Sequence, residues 1–115
     1  SANMSARLMT ASSDQAGDNN TSTISQTNSL IELAASENSA TVTQDGDGNA
    51  SDVTQNGAGP LALVNQFGDN NVSMLMQSGL DHSATVNQYG AGDSSTIDQS
   101  GSFNTAVVTQ GVASN

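Results

Sequence analysis

The chain has 115 residues, the size of one domain, and carries eleven Asp plus Glu against a single Arg, no Lys, one His, no Cys and a formal net charge of −10. That balance repels phosphate backbones and anionic lipid, which excludes nucleic-acid binding by charge, and the lack of cysteine removes disulfides, thiolate zinc sites and thiol catalysis. Only 34% of the residues are apolar, so composition alone points to disorder, and any fold has to be encoded in the order of the residues.

Residues 1–9, SANMSARLM, read as an N-terminal arm. They lack a basic start followed by a long apolar stretch, so any export signal is expected to have been removed, and no run reaches membrane-spanning length. From residue 10 to 115 the chain reads as one repeat domain.

The first strand is expected through Met9, Ala11, Ser13 and Gln15, and the second ends near Gln26, eleven residues on. The step to the next glutamine is eighteen, after which Gln44, Gln55, Gln66, Gln77, Gln88, Gln99 and Gln110 follow at intervals of eleven. The irregular step is read as a shortened half-unit, with Ser29, Ile31 and Leu33 in the Ala/Ser, aliphatic and Gln slots, which makes ten half-units and about five rungs. Two residues before each later glutamine lies an aliphatic residue: Val42, Val53, Val64, Leu75, Val86, Ile97 and Val108. Four before, Ala and Ser alternate (Ala40, Ser51, Ala62, Ser73, Ala84, Ser95, Ala106), so the full period is 22. Six before comes Asn20, Asn38, Asn49, Asn71 or Asn104, with Pro60, His82 and Asp93 in the same slot elsewhere. Two after comes Gly17, Gly46, Gly57, Gly68, Gly79, Gly90 or Gly101, read as turn glycines that supply positive φ.

A spacing of two is the strand period and puts Asn, Ala or Ser, the aliphatic residue and Gln on one inward face. An antiparallel meander would not require like residues to recur at 22, whereas parallel in-register stacking sets Ala over Ala and Gln over Gln. The expected fold is therefore all-β, a β-solenoid with two strands per rung and the rungs about 4.7–4.8 Å apart, stacked further into a cross-β amyloid fibre. Pro60, His82 and Asp93 are expected to interrupt the Asn column.

The units SATVTQDGDGN-ASDVTQNG (39–57) and SATVNQYGAGD-SSTIDQSG (83–101) resemble curlin repeats, found in the secreted amyloid subunits of bacterial curli fibres, and the resemblance extends over about residues 10–115. It implies export in unfolded form through an outer-membrane secretion pore and polymerisation into an extracellular, cell-surface fibre for biofilm matrix and adhesion. The implied partners are the chain itself, as a homopolymer, and a nucleator subunit. The last unit, TAVVTQGVASN, is regular and uncharged, unlike the atypical, often basic terminal repeat of the nucleator, which favours the major subunit.

The first and last strands look like interior ones and show no cap, so end-to-end strand addition is expected. The Gln and Asn columns form the expected self-assembly ladder, the aliphatic column the core. Acidic side chains such as Asp45, Asp47, Asp52, Asp69, Asp81 and Asp98 are expected to face outward or sit in turns and to slow lateral clumping. Rival chemistry finds no residue set. His82 with Asp81 and Ser83 cannot form a triad, since neighbours on a strand face opposite ways, and the histidine reads as a filler of the Asn slot. Glu32 and Glu37 read as solvated charges, and DGDGN at 45–49 as a tight turn rather than a calcium loop. No enzyme activity, cofactor or metal is expected, and no membrane insertion. The alternative function is a monomeric, capped solenoid binding ice or carbohydrate through an outward face with Thr41, Thr43, Thr54, Thr85, Thr96 and Thr109.

Overall fold

The structure, a computed structural model, describes residues 8–27 and 37–111. Within them lie nine strands: β1 (Leu8–Ala16), β2 (Thr21–Thr27), β3 (Glu37–Asp45), β4 (Ala50–Ala58), β5 (Leu61–Phe67), β6 (Val72–Leu80), β7 (Ser83–Gln88), β8 (Ser94–Ser102) and β9 (Thr105–Gln110). Odd strands form one sheet in the order β1-β3-β5-β7-β9, and even strands a second in the order β2-β4-β6-β8. Every pairing is parallel. The chain alternates between the two sheets at each turn, so the fold is a β-solenoid with two strands per rung.

Alternation of residue types along each strand decides which side faces in. Along β3 the pattern runs Asn38, Ala40, Val42, Gln44 inward and Ser39, Thr41, Thr43 outward, and the inward set is fully buried. Like residues then stack: Ala40 on Ala62, Ala62 on Ala84 and Ala84 on Ala106 in one sheet, Ser51 on Ser73 and Ser73 on Ser95 in the other. Between the sheets lies a narrow core of Ala40, Val42, Val53, Ala62, Val64, Leu75, Ala84, Val86 and Ile97, with Ile24, Ala106 and Val108 packed against it and partly buried. Each rung adds only two or three small apolar groups, so a single rung cannot offset its own ordering entropy and stacking supplies the stability.

The pairing corrects the reading of the irregular step. Gln15 lies on Gln44 and Gln26 on Gln55, so β1 meets β3 directly and β2 meets β4 directly. No strand intervenes between them in either sheet. These pairings leave no place between the paired strands for the half-unit assigned to Ser29, Ile31 and Leu33, and these three residues, with Glu32, lie outside the described residues. The offset between paired strands is 29 here and 22 elsewhere, so the step of eighteen is one ordinary half-unit of eleven plus seven inserted residues.

The glycines need a second adjustment. Gly57, Gly79 and Gly101 lie inside β4, β6 and β8 rather than in turns, and Gly90 lacks the positive φ expected of it. The other six do take the positive φ expected of them, and close approach between rungs demands glycine as well: a Cβ on Gly57 would run into the Gly79 carbonyl oxygen, and one on Gly68 into that of Gly90. The left-handed backbone positions common to the described turns lie one residue before the Asn column, at Asn19, Gly48, Gly59, Asn70, Asp81, Gly92 and Phe103. Asn, Gly and Asp adopt that conformation readily, whereas Phe103, at φ 61° and 74% exposed, holds it at a steric cost.

Candidate functional site

Along the solenoid, three columns of polar side chains run through an otherwise closed interior. The glutamine column is continuous in both sheets. In the first, Gln15 Nε2 donates to Gln44 Oε1 at 2.6 Å, Gln44 to Gln66 at 2.7 Å, Gln66 to Gln88 at 2.8 Å and Gln88 to Gln110 at 3.0 Å. In the second, Gln26 donates to Gln55, Gln55 to Gln77 and Gln77 to Gln99 at 2.8, 2.9 and 2.9 Å. The other hydrogen of the amide is also spent. Gln44 Nε2 donates to the Thr21 carbonyl, Gln55 to Ser39, Gln66 to Ala50, Gln77 to Leu61, Gln88 to Val72 and Gln99 to Ser83. Each acceptor lies at the start of a strand in the opposite sheet, so the same side chain ladders along the axis and ties the two sheets together. A carbonyl oxygen can only accept, so the atom facing it must be nitrogen, which fixes the orientation of each of these amides. All the ladder bonds then point the same way, from donor to the rung on the C-terminal side.

The cross-sheet bond was not legible in the residue pattern, which showed only that glutamines stack. Its one signal was that a buried amide has two hydrogens and the ladder uses one.

The asparagine column behaves differently from an amide-to-amide ladder. Asn20, Asn49 and Asn71 accept at Oδ1 from the main-chain N–H of the next residue in the column, Asn49, Asn71 and Asp93 respectively, each at 2.9 Å. Their Nδ2 groups donate to turn carbonyls of the next rung, Gly46, Gly68 and Gly90. These side chains thus bind main chain and staple successive turns. In the other turn column, Asn38 Nδ2 donates to Gly57, and because Pro60 has no N–H, Asn38 Oδ1 takes the N–H of Gly59 instead, at 3.1 Å. Asn104 Nδ2 turns back to Ser100. Asp93 accepts from the Gly90 N–H through Oδ2. His82 does not interrupt the column: its ring nitrogens reach the Ser78 carbonyl at 2.9 Å and the Asn104 N–H at 3.3 Å.

A column in the even-strand sheet is unsatisfied. The Oγ atoms of Ser22, Ser51, Ser73 and Ser95 are buried without a hydrogen-bond partner. The serine alternation therefore marks a row of desolvated hydroxyls rather than a third ladder.

Outside, Asn65 Nδ2 donates to Asn87 Oδ1 at 2.9 Å, and Phe67 and Tyr89 stack with ring centroids 5.7 Å apart and planes within 3°. The threonines do not make an unbroken face. One column runs Thr41, Leu63, Thr85, Val107 and another Thr54, Met76, Asp98. Among the described residues no three His, Asp or Glu side chains gather into a metal site, and His82 is buried while Asp81 beside it is exposed. What the arrangement can do chemically is stack: every rung offers donors on one side and acceptors on the other.

No curated protein matches the chain. The family description curlin associated repeat matches residues 35–68 and 61–90, which takes in β3 to β7, and this match supports the curlin repeat family as the chain's place.

Proposed function

We propose that this protein is the structural subunit of an extracellular amyloid fibre and assembles by adding rung to rung, end to end. The observation that carries the reading is the single direction of the glutamine ladder. Because each rung presents Nε2–H groups on its C-terminal side and Oε1 on its N-terminal side, the last rung of one copy is complementary to the first rung of the next. Inter-rung bonds at that junction repeat those inside the chain, so polymerisation needs no new interface chemistry. The curlin repeat match supports the same end point, a curli-type fibre, and with it a role in biofilm matrix and adhesion. In that setting the partners are further copies of the chain, a nucleator subunit and an outer-membrane secretion pore. The role is structural rather than catalytic.

The residues assigned to assembly are the glutamines of the ladder, the asparagines that staple the turns, the aliphatic column and the glycines where turns approach. Fibre diffraction on protein aged in neutral buffer tests the proposal. The expected result is a meridional reflection near 4.7–4.8 Å with an equatorial one near 10 Å. Protein that folds into the solenoid yet stays monomeric under those conditions overturns it.

A further inference from the structure

His82 is the only histidine in a chain without Lys or Cys, and so the only side chain of a type that titrates between pH 5 and 8. It is 1% exposed, in a column whose other members in the same turn are Asn38, Pro60 and Asn104. Its two contacts settle its protonation state from the chemistry of the partners. The Ser78 carbonyl, 2.9 Å from Nε2, can only accept, so Nε2 carries a hydrogen. The Asn104 main-chain N–H, 3.3 Å from Nδ1, can only donate, so Nδ1 must be bare. The neutral imidazole thereby reproduces both functions of the asparagine amide. Nδ1 does the work of Oδ1 in receiving the N–H of the next rung, and Nε2–H does the work of Nδ2 in closing the turn. An asparagine does this at every pH, but an imidazolium cannot, because a proton on Nδ1 would face the Asn104 N–H.

We propose that His82 is a proton-sensitive latch between the rungs of β7 and β9, holding the turn before β9 on the turn before β7 when neutral and releasing it when protonated. Among the described residues, the turns stacked on either side and the adjoining strand ends bring no charged group. The turn on one side carries Ala58, Gly59 and Pro60, the turn on the other Phe103 and Asn104, and the strand ends beside it Ser78, Gly79, Leu80, Ser100, Gly101 and Ser102, none of which titrates. Asp81, exposed on the same turn, is the nearest carboxylate by sequence, and Glu37 lies two rungs away at the start of β3. The direction follows from the bonds alone: the neutral ring holds the two turns together and the protonated ring does not, so acid favours the released turn. This inference goes beyond the assembly reading and requires only that the rungs stack.

The test is paired. Nitrogen-15 shifts of the imidazole in the folded protein at pH 7.5 should show a protonated Nε2 and a bare Nδ1. Hydrogen exchange at the Asn104 amide, corrected for intrinsic rate, should then lose protection as pH is lowered, by up to tenfold per pH unit, while the His82→Asn variant stays flat. An Nδ1-protonated or charged ring at pH 7.5, or the same pH profile in both proteins, overturns the latch. The imidazole shifts need no variant, so the proposal remains open to refutation should His82→Asn fold poorly. A folded chain that never forms fibres defeats the assembly reading and still reports on the latch, whereas fibres with flat Asn104 protection defeat the latch alone.

Discussion

Gln66 shows how much one side chain holds. It accepts from Gln44, donates to Gln88 and donates to the Ala50 carbonyl, all within a fully buried site. Replacing it with leucine keeps the volume and leaves three groups short of a partner at about 1–3 kcal/mol each, offset in part by the apolar side chain that fills the site, so Gln66→Leu should lower stability by about 2–4 kcal/mol in a denaturant titration. Thr85→Val, on the outward face, should stay within about 0.5 kcal/mol of the parent. The serines predict the opposite sign. Ser73 Oγ is buried without a partner while its stacked neighbours Ser51 and Ser95 are in the same state, so Ser73→Ala should raise stability by about 1 kcal/mol, read as a higher unfolding midpoint. An unchanged or lowered midpoint would mean that the hydroxyl finds a partner after all. Stacking and burial at these positions were legible in the sequence because they follow from a spacing of two and a period of 22. The partners of the amides were not, because a residue pattern records which side chains recur and says nothing about which main-chain carbonyl each one meets.

At the scale of strands and turns, the insertion between β2 and β3 separates what a sequence can and cannot reveal. Counting glutamines gave a missing step and invited an extra half-unit at Ser29, Ile31 and Leu33. The alternation of Ala and Ser already spoke against it: Ala11, Ser22 and Ala40 stand in the correct order with no member absent, and the structure places Ala11 on Ala40 and Ser22 on Ser51. An added half-unit would have put Ala40 in the serine sheet. The left-handed slot was legible too, as a run of Asn, Gly and Asp before the Asn column, broken at Phe103 and at Glu37 before Asn38, but it was masked by the more regular glycines two places after Gln. Since register is set by faces and not by residue count, removing residues 29–35 should restore a spacing of eleven between Gln26 and Gln44 while leaving every strand pair unchanged. The shortened chain is expected to keep the parent's circular dichroism and to unfold at the same or a slightly higher denaturant concentration, since fewer residues then separate the paired strands. Loss of the β signal would show that the inserted segment is needed for stacking.

For the molecule as a whole, net charge and stacking oppose each other. Each copy brings a charge of −10 to a rod whose rungs rise by about 4.7–4.9 Å, so like charges accumulate along the axis as copies add. Several of the carboxylates lie in one turn column, where the Asp47 and Asp69 side chains accept from the N–H groups of Asp18 and Asp47. Raising ionic strength from about 0.01 to 0.15 M shortens the screening length from about 30 to 8 Å, and fibre growth at fixed pH should accelerate accordingly. Growth rates independent of salt, followed by light scattering or dye fluorescence, would remove charge repulsion from the account. The glutamine ladder adds something that neither charge nor hydrophobic burial can: a sense of direction. Side-chain amides that all point one way add their dipoles along the axis, so the two tips of a growing rod are different surfaces, one lined with amide hydrogens and the other with amide oxygens. An arriving chain, whose first ordered strand must be one particular end of its sequence, meets a different folding problem at each tip, and a fibre built this way is expected to lengthen at two unequal speeds.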